Sequence, residues 1–135
     1  MEKFAFILHP LSLQDMEHLS PLMRYIPDPI IEACLKMKKP FKVSHITGIK
    51  SPYAEAEGWF IGCPLTAKQM VELPEEFVMD RIIESGKVAQ ELGAKIVGLG
   101  AFTSIVGDAG ITVAKNLDIA VTSGNSYTVA TAIQG

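Results

Sequence analysis

The chain has 135 residues, of which 48% are hydrophobic, and a formal net charge of -3, which suits one domain of ordinary size with a real core. It has no basic stretch or arginine cluster that would bind nucleic acid, and no apolar run approaches the ~20 residues of a membrane span. The N-terminus is too short and too acidic for a secretory signal. These features predict a cytoplasmic protein with no nucleic-acid partner and no membrane span.

The first third of the chain predicts a strand followed by helical segments. "KFAFILH" (residues 3–9) is a short apolar run before a proline and predicts a buried strand. In the next segment Leu13, Met16 and Leu19 share one helical face. Pro21 begins a new turn.

A second helix and a pair of strands follow. Asp28 is the predicted N-cap of this helix and Pro29 its first residue, and the helix ends at a run of lysines. "FKVSHITGIKS" alternates and predicts a strand, with a register change near Val43 and Ile46. "AEAEGWFIGC" predicts its hairpin or crossover partner.

The second half alternates helices with strands. A short helix begins at Pro64 and Thr66, and "LPEEFVMDRIIESGKVAQELGA" is the clearest helix, closed by Gly93. "KIVGLG" and "DIAVT" predict strands, and "SGNSYTVATAI" predicts a loop that enters a helix. Helix, tight turn and strand in this order predict an α/β domain, specifically a three-layer α/β/α fold with a mostly parallel sheet.

The stretch "GLGAFTSIVGDAG" (residues 98–110) poses the question of a nucleotide site. A dinucleotide fingerprint G-x-G-x-x-G needs a third glycine where this chain has Thr103. A phosphate-binding P-loop fails as well, because no G-K-[S/T] follows. The sequence therefore predicts no cofactor site in this chain, and glycines that serve backbone turns.

The two cysteines are far apart and have no C-x-x-C or histidine spacing around them. Cys34 and Cys63 are predicted to be free, mostly buried thiols. No metal site is expected.

Two phrases carry a resemblance to a known family. "LGAFTSI" (99–105) and "TSGNSYTVATAI" (122–133) resemble the "LGGFTSI" and "TTGNTHTAY" phrases of the long-chain acyl-[acyl-carrier-protein] reductases. These reductases form fatty aldehydes, and their bacterial relatives are described as amino-acid or shikimate-type dehydrogenases. The opening "ILHPLSL" is similar to the family's "IGHLTSL". The match is good over residues 92–133 and thin over 16–77.

The resemblance implies that residues 1–135 are a substrate-binding N-terminal domain, like that of amino-acid and shikimate dehydrogenases. In the family, an NADP-binding Rossmann domain follows, and the acyl-carrying cysteine lies in it. The chain would then be a fragment, and the 135 residues alone are expected to be inactive. The implied partners are an acyl-thioester or other small-molecule substrate and, by the same resemblance, an acyl carrier protein.

The candidate substrate-binding residues follow strand ends. Ligands of open α/β sheets bind beyond such ends. Glycine would allow close approach to the backbone, hydroxyl groups could bind polar atoms, and a helix N-terminus favours a carbonyl or carboxylate oxygen. The residues are Gly100, Phe102, Thr103, Ser104, Asn125 and Ser126. The polar ones could equally serve as helix caps or satisfy backbone groups in the turn.

The catalytic residues are unknown, and two candidates are named. His9 ends the first strand and could carry a proton or be a structural hydrogen-bond partner. Lys68 follows a strand and a proline in a way loosely similar to the catalytic lysine of shikimate dehydrogenases, although the spacing differs and the acyl reductases lack it.

Three functions stay open. An acyl substrate predicts an apolar tunnel lined by Phe102, Ile105 and Tyr127. A small polar acid predicts a compact polar pocket with a working Lys68. A stand-alone binding or assembly module predicts an exposed apolar patch used for self-association, and a homo-oligomer is compatible with each of the three.

Overall fold

Five strands form one sheet in the computed structural model of the chain, which describes residues 1–14 and 20–134. The strands are β1 (Glu2–Leu8), β2 (Phe41–Lys50), β3 (Glu55–Gly62), β4 (Ile96–Leu99) and β5 (Ala120–Thr122). Their order in the sheet is β2-β3-β1-β4-β5. Strands β1, β3, β4 and β5 are parallel, and only β2 is antiparallel to its neighbour. The predicted mostly parallel sheet is confirmed.

The helices flank this sheet, and those that the sequence predicts occur in the predicted order, whereas the short helices over residues 101–104 and 111–115 were not predicted. They are a 3-10 helix (Pro21–Tyr25), α1 (Asp28–Met37), α2 (Ala67–Glu72), α3 (Glu75–Glu91), a second 3-10 helix (Ala101–Ser104), α4 (Ile111–Lys115) and α5 (Asn125–Gln134). The chain is thus an α/β domain, consistent with the predicted three-layer α/β/α fold. The predicted helical face with Met16 and Leu19 lies outside the described residues. None of the helices described is long and apolar enough to cross a bilayer.

Local details agree with the sequence in most places. Strands β2 and β3 form an antiparallel hairpin, and its register shifts between Lys42 and Ser44 and again after Ile46. Gly93 closes α3 with a positive φ of 88°. The predicted N-cap of α1 was wrong by one residue: Pro27 precedes the helix and Asp28 lies in its first turn.

The main hydrophobic core lies between one face of the sheet and α3. Ile7 of β1, Ile61 of β3 and Val97 of β4 are fully buried there. Helix α3 meets them with Val78 and Ile82, which are four residues apart and share one helical face. Each such apolar side chain stabilises the fold by about 1.5–3 kcal/mol relative to the exposed state.

The opposite face of the sheet, called here the second face, is aromatic. Side chains alternate along a strand, so Phe4, Phe6 and Leu8 of β1 point away from the main core. Phe6 and Leu8 are each 37% exposed. The Phe6 ring meets Phe60 edge-on, with 6.4 Å between the ring centroids.

Candidate functional site

The carboxyl ends of the four parallel strands meet at one border of the sheet, called here the carboxyl edge. His9 follows β1, Cys63 follows β3, Gly100 follows β4 and Ser123 follows β5. Both phrases that carry the family resemblance therefore begin at this edge, as the sequence predicts. Because ligands of open α/β sheets bind at such edges, it is the place to look for a site.

His9 connects the end of β1 to the loop after β4 through a hydrogen bond of its imidazole ring. Its Nε2 lies 3.1 Å from the backbone nitrogen of Phe102, and its Nδ1 lies 3.0 Å from the carbonyl oxygen of Pro10. A backbone N–H only donates and a carbonyl only accepts, so these contacts select the tautomer with hydrogen on Nδ1. Both ring nitrogens are thus used within the chain, which favours the structural role of His9 over proton transfer.

Gly100 packs closely against β1. A Cβ atom added at Gly100 would lie 2.7 Å from the carbonyl oxygen of Ile7 and 2.6 Å from the ring of Phe6. The missing side chain therefore makes room for a neighbouring strand. The next residue, Ala101, has a positive φ of 48°, a conformation that costs about 1–2 kcal/mol in a residue with a Cβ.

The hydroxyl groups after Gly100 close the turn. Thr103 is buried and donates a 2.7 Å hydrogen bond to the Gly100 carbonyl. Ser104 donates a 2.7 Å bond to the Ala101 carbonyl. Each hydroxyl oxygen can still accept a hydrogen bond. Phe102 is half-buried, and its ring lies 5.8 Å from that of His9.

Asn125 and Ser126 open α5 at the same edge. Both are exposed, and their side chains make no hydrogen bond within residues 1–14 and 20–134. All of α5 is exposed along its described length, including Tyr127 at 77% and Ile133 at 80%. This helix start therefore offers free polar groups next to apolar surface.

Asp108 serves the glycine-rich loop itself. Its carboxylate accepts hydrogen bonds from the backbone N–H of Thr112 at 3.0 Å and from the Thr112 hydroxyl at 2.7 Å. These bonds hold the pKa of the Asp108 carboxyl below its usual value. The Asp108 carboxylate therefore stabilises the first turn of α4.

Lys68 lies on a polar cavity of about 450 Å³. Its Nζ atom is 3.4 Å from a carboxylate oxygen of Glu32 and 4.0 Å from one of Glu72. Arg24 and Asp28 also line this cavity. The lining combines charged groups of both signs with apolar side chains such as Ile26 and Ile31.

An apolar cavity of about 220 Å³ opens at the carboxyl edge beside His9. It lies where the C-terminal end of α1 meets the ends of β1 and β3 and the start of β2. Its lining is almost entirely carbon. The lining residues are Leu8, His9, Pro10, Leu35, Lys38, Phe41, Val43, Gly62, Cys63 and Pro64. A further apolar cavity of about 270 Å³ shares Leu35 and Lys38 with it.

Cys63 lines the apolar cavity, but its thiol is unreactive at neutral pH. Burial raises the pKa of its thiol to about 11, so the thiol stays protonated at neutral pH. The structure therefore confirms Cys63 as a free buried thiol. Cys34 is free as well, but the prediction that it is buried was wrong: it is exposed on α1, because the apolar face of that helix is formed by Ile31 and Leu35.

Sequence reasoning missed the residues that form the apolar cavity. Leu35, Lys38, Phe41 and Val43 lie close together in sequence, yet they come from a helix end and the start of a strand. The run "LKMKKPFKV" is the one available signal, because it alternates apolar side chains with lysines. Conversely, Phe102, Ile105 and Tyr127 do not line this cavity.

The glycine-rich loop after β4 does not fit a dinucleotide. Strand β4 is followed by a single 3-10 turn, and the space at Gly100 is taken by β1. A pyrophosphate needs the N-terminus of a full helix with room at the glycines. Among residues 1–14 and 20–134, no three His, Cys, Asp or Glu side chains gather into a possible metal site.

Comparison with known proteins gives limited similarity. No protein-family model matches the chain. The chain is 38% identical over 87 residues to the aminotransferase PigE of Serratia sp. (strain ATCC 39006). The alignment covers 64% of this chain and 10% of PigE, so the chain matches about a tenth of that relative's length.

Proposed function

We propose that this chain is the substrate-binding domain of an NADP-dependent oxidoreductase that resembles acyl-thioester reductases. The observation that carries the proposal is the apolar cavity of about 220 Å³ at the carboxyl edge. The two phrases similar to the acyl reductases begin at the same edge. An acyl chain needs apolar space, which the cavity offers, and the polar part of a thioester needs donors, which the start of α5 offers further along the same edge.

Different residues at the carboxyl edge would have different roles in binding. The free side-chain amide of Asn125 and hydroxyl of Ser126 at the start of α5 would donate to polar groups of the thioester that lie outside the cavity. His9 would position the loop through its bond to Phe102. Cys63 would not carry the acyl group, because its thiol is protonated. NADP and the transfer of hydride would belong to a part of the protein other than these residues, and an acyl carrier protein would be the natural source of the thioester.

The similarity to PigE is compatible with this proposal. The name of that protein states an aminotransferase activity. Aminotransferases convert carbonyl compounds into amines, and a thioester reductase produces an aldehyde. A domain that serves aldehyde formation would therefore supply the kind of substrate that an aminotransferase consumes.

A second candidate is a dehydrogenase of a small polar acid. The polar cavity with Lys68 and Arg24 favours it, because two cations there could hold a carboxylate. The ion pairs of Lys68 with Glu32 and Glu72 weigh against it, since they already balance its charge. The third reading, an assembly module, draws on the exposed apolar side chains of α5.

Calorimetric titration of the 135-residue chain tests the proposal. We expect octanoyl-coenzyme A to bind and free coenzyme A to bind much more weakly. The double substitution Asn125→Ala and Ser126→Ala should weaken binding of the thioester without changing stability, since both residues are exposed. Binding of shikimate or glutamate that is lost in Lys68→Met, with no binding of the thioester, would instead establish the small-acid candidate.

A further inference from the structure

The apolar cavity has a cation at its rim. Lys38 lines the cavity together with Phe41, and its Nζ atom lies 4.2 Å from the centre of the Phe41 ring. This cation–π contact keeps the ammonium group at the border between the apolar lining and solvent. The cavity therefore combines carbon walls with one fixed positive charge.

Lys38 and the lysines near it in sequence have no acidic partner among the described residues. Lys36, Lys38, Lys39 and Lys42 make no ion pair with any carboxylate in the described part of the chain. Of the six other lysines, four have a carboxylate oxygen within 4.0 Å, namely Lys3, Lys50, Lys68 and Lys95. On a chain with a net charge of -3, Lys38 therefore gives the cavity rim a positive charge that no carboxylate in the described part of the chain balances.

From these features we infer that the apolar cavity binds the acyl chain of an anionic amphiphile, with Lys38 facing its head group. The inference rests on the proposed function and gives it a definite site. In this assignment the acyl chain lies between Leu8, Leu35 and Val43. The sequence instead predicts an acyl tunnel lined by Phe102, Ile105 and Tyr127. The shared chemistry is an apolar chain next to a negative group, whether a free fatty acid or an acyl thioester.

The volume of the cavity indicates the length of the acyl chain that it can hold. A volume of about 220 Å³ holds about seven groups of the size of a water molecule, at about 30 Å³ each. A methylene group is of similar size. The cavity therefore suits a chain of about eight carbons, counting the carbonyl carbon at the rim.

The neighbouring thiol limits the site to reversible binding. Cys63 contributes carbon and sulfur surface to the wall, and its raised pKa keeps it from attacking a thioester. His9 also lines the cavity, but both of its nitrogens are bonded within the chain. The walls therefore recognise the chain and do not react with it.

The first test fills the cavity from an exposed position. Val43 is 51% exposed on β2, so Val43→Phe keeps a strand-forming side chain while occupying part of the space. The matched control is Ile49→Phe, on the same strand at 45% exposure and outside the cavity. We expect the affinity for octanoyl-coenzyme A to fall about tenfold or more in Val43→Phe and to stay unchanged in Ile49→Phe.

A second test uses the charge and does not depend on the first variant folding. Lys38→Met keeps the apolar stem, and Lys87→Met on α3 is the exposed control. Octanoate should bind several-fold more weakly to Lys38→Met, whereas octanol should bind equally to both variants. Butyrate should bind at least tenfold more weakly than octanoate. Comparing octanoate with octanoyl-coenzyme A separates the free acid from the thioester as the ligand.

The outcomes of these tests distinguish a failure of the cavity assignment from a failure of the proposed function. If octanoyl-coenzyme A binds and neither Val43→Phe nor Lys38→Met weakens it, the assignment of the acyl chain to this cavity is overturned, and the proposed function then rests on the measured binding of the thioester instead of on the cavity. If octanoate binds here but the thioester does not, the cavity is an amphiphile site and the reductase proposal loses its support. Equal affinity for butyrate and octanoate would overturn the cavity assignment.

Discussion

The buried thiol of Cys63 makes the stability of the fold depend on alkaline pH in a way that can be calculated. Its pKa is about 11 in the folded chain against a reference of 9.0. The folded state therefore keeps the proton in a pH range where the unfolded state has lost it. The resulting stabilisation is complete below pH 9.0 and is lost as the pH rises towards about 11.

The size of the effect follows from the difference of about two pKa units, at about 1.4 kcal/mol for each unit. Deprotonation of a single group with these two pKa values lowers the unfolding free energy by about 1 kcal/mol at pH 10 and by about 2 kcal/mol at pH 11, relative to neutral pH. Cys63→Ala removes this group. The alanine leaves a small cavity whose cost is the same at every pH.

The assay is urea unfolding of the wild-type chain and Cys63→Ala at pH 7.5 and pH 10 under reducing conditions. The two proteins differ only at residue 63, so the difference between their unfolding free energies isolates Cys63. We expect the unfolding free energy of the wild type to fall by about 1 kcal/mol more than that of the variant between pH 7.5 and pH 10. Equal losses would refute the reasoning, because they would show that the thiol is not desolvated in the folded state.

Three further predictions concern packing, bracing and charge. His9→Leu should lower the unfolding free energy by about 1–3 kcal/mol, because it leaves the Phe102 N–H without an acceptor, and His9→Gln should restore part of the loss in the same urea assay. Gly98→Ala should cost about 1–3 kcal/mol, because its Cβ would lie 2.5 Å from the Phe6 ring, and it should be nearly neutral in a Phe6→Ala background. Asp108→Asn should flatten the fall in thermal midpoint below pH 4, since the lowered pKa of this carboxyl gives stability that is present above 3.8 and lost as pH falls through the folded value.

The fold could be predicted because its signals are local. Helix α3 repeats buried side chains every three or four residues, and Gly93 ends it in a conformation that glycine adopts readily. The strands of the second half follow helices after short turns, which favours parallel pairing. Even the irregular register of β2 was visible near Val43 and Ile46.

The site could be predicted only in outline, because its parts meet through long-range contacts. The bond between His9 and Phe102 joins residues that are 93 positions apart. The apolar cavity depends on how the end of α1 lies across the strand ends, which no periodicity encodes. The sequence located the edge through Gly100 and Asn125, but it could not show that the hydroxyl of Thr103 turns inward to its own loop.

The glycines that suggest a nucleotide site have a simpler explanation in the sheet. Added Cβ atoms at Gly58 and Gly98 would lie 2.7 Å and 2.5 Å from the rings of Phe4 and Phe6, respectively, so the rings of β1 lie across the glycines of both neighbouring strands. Gly100 continues the same row at the end of β4. A flat aromatic ring on a parallel sheet needs such gaps, which is why glycine recurs at every second position of "GLG". The glycine pattern thus describes the packing of the second face, and the chemistry of this edge has to be sought in the cavity and the helix start beside it.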